Sequence, residues 1–322
     1  MAEIIPEKLI DRLNMNPEAV LTVVREFILR KYEERRANGI ALGLSGGLDS
    51  AVVASIAAQI IEPACVHALH LFDRDSQPRF LEYAKKLADT LCIHFEVRDI
   101  TNLVDELVGQ KRAVGITSKP LRRLRITSLT RYLSRRVYYL IRKCYPLILA
   151  LRRFGVDLPL PIKRLYDKVV GPTTIGFGPK HIVRRHVLEE YAAEKNLLLI
   201  GAANRSEALT GWFVEGGVDD LPIEPIMGLY KNQVYQLARF LGVSSQIIEE
   251  PPSPDFMAGM TDESMFGLPW EKIDRVLYVL ENGFDKKVAM EDGITPVEFD
   301  KVWMRYQSVE KKRGNRHEYP VF

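Results

Sequence analysis

The sequence predicts an α/β protein built on a doubly wound parallel sheet, with a basic helical insertion, and three observations lead there. Strand-length apolar runs alternate with helix-length amphipathic stretches, the pattern of a parallel sheet covered on both faces. The first of these runs empties into a glycine-rich turn that opens a helix. Positive charge is gathered into one internal stretch of different composition.

The elements follow in chain order. Gly39-Ile40-Ala41-Leu42-Gly43-Leu44 is a short apolar run bounded by glycine, as a buried parallel strand is. The spacing of Val52, Val53, Ile56, Ala57, Ile60 and Ile61 predicts a helix over 49–61. Val66 to Phe72 reads as a second strand, Arg79 to Leu91 as an amphipathic helix, and Ile93 to Val97 as a third strand. His181 to Lys195 reads as a helix and Leu197 to Ile200 as a fourth strand. In such sheets ligands bind outside the carboxyl ends of the strands.

Composition narrows the class. With 322 residues, 47% hydrophobic and 27% charged, the chain has material for a sizeable core, which excludes a disordered chain, a collagen-like repeat and a disulfide scaffold. Cys65, Cys92 and Cys144 stand far apart, a pattern of neither a zinc site nor an oxidised framework. Met1 to Glu7 lacks the basic and apolar regions of a signal peptide, and no run reaches the ~18 apolar residues of a membrane span. The expectation is a cytoplasmic protein.

The net charge of +3 hides an asymmetry. Residues 111–180 hold 17 Lys and Arg against Asp157 and Asp167, leaving 28 basic and 40 acidic residues elsewhere. The expected organisation is therefore one domain from 1–104 with 181–322, interrupted by a basic insertion over 105–180. Pro and Gly close the insertion at Gly171-Pro172 and Gly176-Phe177-Gly178-Pro179. Within it, Tyr132, Leu133, Val137, Leu140, Ile141, Leu147 and Leu151 allow an amphipathic helix or hairpin, with Pro146 breaking or kinking it. A solvated or dimer-facing hairpin, a lid over phosphate-bearing substrates, contact with an anionic membrane surface and RNA binding all fit this charge.

The chemistry starts at Ser45-Gly46-Gly47-Leu48-Asp49-Ser50, between the first strand and the next helix. Backbone N–H groups there point outward and the helix dipole favours an anion. Ser45 and Ser50 add hydroxyl donors, and Gly46 and Gly47 let the backbone approach a phosphate. The spacing is neither a Walker loop nor G-x-G-x-x-G. A carboxylate repels a bare phosphate, so Asp49 at this mouth argues for a bridging Mg²⁺.

This Ser-Gly-Gly-x-Asp-Ser run resembles the signature of the PP-loop ATP pyrophosphatases, of the adenine nucleotide alpha-hydrolase-like fold, which cleave ATP between its α and β phosphates. The second half of the chain is most similar to the ammonia-dependent NAD synthetases among them. Gly201-Ala202-Ala203-Asn204-Arg205-Ser206-Glu207 resembles their G-T-x-N-K-S-E segment. Leu229-Tyr230-Lys231-Asn232-Gln233-Val234 and Leu237-Ala238-Arg239-Phe240-Leu241-Gly242 resemble their L-Y-K-T-Q-V…L-A-x-x-L-G helix. Pro251-Pro252-Ser253-Pro254, Ala258 to Glu263 and Leu268 to Asp274 resemble the loop and helix that follow, and Glu310-Lys311-Lys312-Arg313 is similar to the H-K-R ending.

The resemblance implies roles. Asp49 and Glu207 are Mg²⁺ ligands, with Ser253 in place of a metal-contacting threonine. Ser45, Gly47 and Ser50 cradle pyrophosphate, Lys231 holds a phosphate as a point charge, and Arg184 contacts the nucleotide. The reaction implied is ATP-dependent: a carboxylate, deamido-NAD by first choice, attacks the α-phosphate and releases pyrophosphate, and ammonia then expels AMP. The implied partners are this small carboxylate, free or partner-supplied ammonia and a second copy in a homodimer; anionic membrane or RNA contact through 111–180 stays open. The alternative is a PP-loop enzyme adenylating another acid or an RNA base. Departures fall on the acceptor side. Read without a gap, Glu215 and Val218 stand where the family's T-K-Y-G-D-G-G-x-D has lysine and aspartate. A gap would instead pair Gly216-Gly217-Val218-Asp219 with G-G-x-D, and either way the lysine is missing. Ile182 replaces the first arginine of R-x-R, and Ala202 a threonine.

Overall fold

A computed structural model describes residues 8–74, 76–113, 177–253, 261–310 and 317–322. The chain divides into two compact units, one from 1–101 with 180–322 and the other from 102–179. In the second, helix α5 (Thr101–Ala113) carries the described residues up to 113. The anticipated hairpin around Pro146 lies outside the described residues.

The first unit is organised by four parallel strands, β1 (Gly39–Gly43), β2 (Val66–Phe72), β3 (His94–Asp99) and β4 (Leu197–Leu199), in the order β3-β2-β1-β4. Central β1 pairs Ile40 with Val66 on one side and with Leu198 on the other. Ile40, Ala41 and Leu42 are at most 1% exposed, which is why this strand reads as an unbroken apolar run. Side chains of Ile40, Leu42, Val66, Ala68 and Leu198 turn to one face. There they share a core with α2 (Pro17–Glu34), α3 (Leu48–Ala57), α4 (Pro78–Leu91) and α8 (Lys231–Phe240). On the other face lies α6 (Phe177–Lys195): a side chain at Gly43 would meet Leu188, and Tyr191 hydrogen-bonds His67 on β2. The sheet is thus doubly wound.

Most expected ends shift by one residue, and three larger differences each have a local reason. The helix predicted over 49–61 ends at Ala57, because Gln59 and Ile60 donate to carbonyls three residues back and Glu62, ahead of Pro63, is pushed to extended backbone. Strand β3 starts one residue later than predicted and runs on to Asp99, with Arg98 and Asp99 paired to Leu71 and Phe72. As the outer strand it carries polar side chains that an apolar-run reading discards. Gly178 and Pro179 do not close a loop; they lie in the first turn of α6, where a missing proline N–H costs nothing.

A second apolar cluster is built by α1 (Leu9–Arg12), α11 (Trp270–Glu281), α12 (Lys286–Glu291) and α13 (Pro296–Glu310). It takes Leu209 from α7 (Arg205–Thr210), Tyr230 from the residue before α8, and Phe266 from α10 (Asp262–Phe266). Short α9 (Ser245–Ile248) leads to the Pro251-Pro252-Ser253 loop. Lys311 to Arg313 of the family-like ending lie outside the described residues, but Glu318 returns to form a bridge with Ile223. The starts of α7 and α8 therefore lie between two cores, beside the carboxyl ends of β1 and β4.

Candidate active site

The glycine-rich turn leaves β1 under constraint. Buried His70 on β2 donates its Nδ1–H to the Leu44 carbonyl at 2.9 Å. Gly46 sits at φ +89°, and a Cβ there would stand 2.1 Å from the Phe80 carbonyl oxygen. Glycine at this position is required by the approach of α4 as well as by any ligand. Ser45 and Ser50 lie 2.9 Å apart through their hydroxyls, Gly47 N–H donates to Ser45 Oγ at 3.2 Å, and Ser50 Oγ–H donates to the Gly47 carbonyl at 3.1 Å. Gly47 is the N-cap of α3 and offers no side-chain cap, so the first-turn N–H groups face outward for an anion. Charge-assisted bonds to phosphate would be stronger than these long neutral ones.

Asp49, in the first turn of α3, points to the starts of α7 and α8. Its Oδ2 accepts from Lys231 Nζ at 2.5 Å and its Oδ1 from Asn204 Nδ2 at 3.0 Å. Lys231 Nζ also lies 3.5 Å from Glu207 Oε1. Glu207 is placed by a capping box: Asn204 Oδ1 accepts the Glu207 N–H at 3.0 Å, and Glu207 Oε2 accepts the Asn204 N–H at 3.3 Å. Asp49, Glu207 and Lys231, more than 150 residues apart at the extremes, thus form one centre.

Its electrostatics follow from burial. Lys231 is 1% exposed and begins a helix, where the dipole opposes a cation, so its charge depends on its partners. Burial lowers its pKa, but Asp49 and Glu207 outweigh that and hold it above the usual lysine range. Glu207 retains 15% of its side-chain exposure, yet burial, opposed by Lys231 and reinforced by Asp49, pushes its carboxyl well above the usual value. Asp262 is pushed up to about 6, chiefly by burial against the pull of Lys231. Two carboxyl groups around one ammonium, with Asp262 nearby, gather hard oxygen donors whose ionised forms burial disfavours and a cation would restore. That donor set fits Mg²⁺, which binds through one or two carboxylates and takes other ligands from phosphates and water.

The other expected residues are placed less centrally. Arg184 lies on α6 at the carboxyl end of β2, with Nε donating to the Leu71 carbonyl at 3.2 Å and Nη2 to Ser76 Oγ at 3.4 Å. Beside it, buried Lys180 pairs with Asp73 at 2.8 Å. Half-buried Ser253 follows Pro252, whose carbonyl accepts the Asp262 N–H at 2.8 Å. In the departing segment Glu215 is exposed, the Val218 N–H donates to the His181 carbonyl at 3.0 Å, and Asp219 pairs with His181 at 2.5 Å.

Several polar residues had no role assigned from sequence. Asn204 bridges Asp49 and Glu207, and its signal was the Asn-x-x-Glu spacing after a strand. Glu224, 0% exposed, accepts from the Ala203 and Leu221 N–H groups at 2.8 and 3.1 Å, and only glycine fits at 201 against its carboxyl. Asp274 is fully buried on α11; its signal was an acid in step with Trp270 and Leu277 on an apolar helical face. The Lys180–Asp73 pair left no local signal.

Comparisons with known proteins point to one family. The NAD synthase family model matches residues 20–132 and 179–315. The NH(3)-dependent NAD(+) synthetase of Thermotoga neapolitana is 34% identical over 274 residues, 85% of this chain and 87% of that protein. The enzyme of the same name from Methanocaldococcus jannaschii is 27% identical over 281 residues, 87% and 88% of the two chains. Among solved structures, NMN synthetase from Francisella tularensis superposes with a TM-score of 0.68 at 20% identity, covering 94% of this chain and 97% of that one. An NH3-dependent NAD synthetase from Campylobacter jejuni gives 0.60 at 23% identity, covering 91% and 95%. At such identities the two structures speak for the fold, while the family match and the Thermotoga relative settle kinship: the chain belongs to the NAD synthase family.

Proposed function

We propose that this protein is an ATP-dependent ligase that forms an amide from the carboxylate of deamido-NAD and ammonia, giving NAD, AMP and pyrophosphate. The observation that carries this reading is the Asp49–Lys231–Glu207 centre beside an uncapped helix start. A carboxylate becomes a good electrophile only after its oxygen takes on a phosphoryl leaving group. The Ser45–Ser50 turn would hold the departing pyrophosphate through N–H and hydroxyl donors. Asp49 and Glu207 would hold Mg²⁺, with Ser253 as a further ligand; the ion when bound supplies Lewis-acid charge to the phosphates. Lys231 would shift from its carboxylates towards phosphate as these acids engage the metal. Arg184 would contact the nucleotide from the end of β2. Holding acid and ATP side by side can lower the barrier by about 7–11 kcal/mol relative to free encounter.

The finer assignments belong to the same proposal: a cytoplasmic homodimer using free or partner-supplied ammonia, with 105–180 as a basic insertion on the 1–104 and 181–322 ligase domain. Among the described residues no helix is long and apolar enough to cross a membrane. A second reading, amidation of a different acid, is favoured by the missing family lysine, at whose place an ungapped reading puts exposed Glu215. Purified protein given ATP, Mg²⁺, ammonium and nicotinic acid adenine dinucleotide should release pyrophosphate and form NAD in equal amounts. Pyrophosphate release with another acid of a panel, and none with this one, transfers the case to the second reading. Silence with every acid removes the ligase assignment.

A further inference from the structure

Helix α11 ties together the starts of the two helices that carry Glu207 and Lys231. Asp274 Oδ1 accepts the Ser206 hydroxyl at 2.5 Å, and its Oδ2 accepts Asn232 N–H at 2.7 Å and Asn232 Nδ2 at 2.9 Å. Ser206 Oγ in turn accepts the Lys231 N–H at 2.9 Å. Seven residues on, and so on the same face, Glu281 takes Arg205 through Nε at 2.7 Å and Nη2 at 2.9 Å, and the Tyr230 hydroxyl at 2.6 Å. Each acid joins a residue from the start of α7 to one at or just before the start of α8, and the two held by Asp274, Ser206 and Asn232, are the chain neighbours of Glu207 and Lys231. Attachment of α11 does not require this: Ile273, Val276, Leu277 and Val279 are all 0% exposed in the second core. Buried polar networks of this kind often add little stability over apolar packing, so what this one contributes is geometry.

We propose that Asp274 is a positioning residue for phosphoryl chemistry, acting through Ser206 and Asn232 to set where the Lys231 amine stands between Asp49 and Glu207. The role rests on the ligase reading above. Lys231 Nζ lies 2.5 Å from Asp49 but 3.5 Å from Glu207, so a small slide of α8 changes which acid it serves. Displacements of about 1 Å in such a centre cost on the order of 100-fold in rate.

Asp274→Asn keeps the side-chain volume, and the Glu281 tie remains, so the variant should fold. Pyrophosphate release should show kcat reduced about 10- to 100-fold, with the KM for ATP moved less than about threefold. Ser206→Ala should do the same, and the double variant should be no slower than about twofold below the worse single variant, because both break one relay. Wild-type kcat in Asp274→Asn, multiplicative losses in the double variant, or a loss that tracks the unfolded fraction overturns the proposal. Should Asp274→Asn not fold, Ser206→Ala decides alone: a lowered kcat at unchanged KM supports the relay, and wild-type kcat overturns it. Acylation of Lys231 by an amine-directed reagent, read by mass spectrometry, separates the two claims. If the wild type is inactive with every acid, a Lys231 acylation rate at least about tenfold higher in Asp274→Asn still supports the clamp, while an unchanged rate overturns it.

Discussion

The Ser45–Ser50 turn and the Lys231 centre, proposed above to serve one reaction, are built in opposite ways. The turn is local: six consecutive residues, with hydroxyls and N–H groups that satisfy one another at 2.9–3.2 Å. The centre is assembled from α3, α7 and α8, and its charges hold only because each is balanced by residues far along the chain. A local turn tolerates loss of a ligand because its hydroxyls and the Ser45 and Gly47 N–H groups have internal partners, while its outward N–H groups carry no net charge. A charged centre in a buried setting has no such reserve, so removing one member exposes the rest to the full cost of burial.

The sharpest test of this contrast is Asp49→Asn, which belongs to both regions. It should cut pyrophosphate release by on the order of 10³-fold, several kcal/mol of charge stabilisation, and should also lower the thermal transition, because buried Lys231 is left with Glu207 alone. Near-normal turnover would take Asp49 out of the mechanism. Lys231→Met tests the centre alone: Asp49 and Glu207 lose their shared ammonium, and urea unfolding should show a loss of about 3–5 kcal/mol. A loss below about 1 kcal/mol would mean the pair behaves as an exposed one.

The centre should also report itself through pH. Burial pushes Asp262 up to about 6 from an ordinary 3.8, so the folded protein binds that proton more tightly than the unfolded chain. Its contribution is full below about pH 4 and lost as pH rises through about 6, on the order of 2–3 kcal/mol. Asp262→Asn should flatten the dependence of the urea midpoint on pH across that window, and an unchanged slope would place the carboxyl in water. The smallest effect separates two adjacent glycines in the turn. Gly46→Ala meets both a positive φ and the Phe80 carbonyl, and should lose about 1–3 kcal/mol. At Gly47 the nearest atom to an added Cβ is Ser45 Oγ at 3.4 Å, so Gly47→Ala should cost under about 1 kcal/mol. Equal losses would show that the turn is not braced against α4.

Much of the frame was legible because strand and helix periods are local properties. Val66–Phe72 was read to the residue, while β3 was misplaced since an outer strand does not need apolar side chains to pair. Asp49 was named from the chemistry of its turn and Glu207 and Lys231 from family-like segments, in which Asn204 and Asp274 stood without a role. What was not legible was their joining, the Lys180–Asp73 pair and the seat of Glu224 against Gly201.

By itself, then, the order of residues determined the sheet, the turn and the kinds of group able to meet ATP, since period, glycine placement and side-chain chemistry act over a few neighbours. Only the folded chain decided that Lys231 lies buried between two acids and that α11 holds their helices in place. Those facts depend on which distant segments share one volume, and burial converts that proximity into charge states and hydrogen bonds that no short stretch of chain carries.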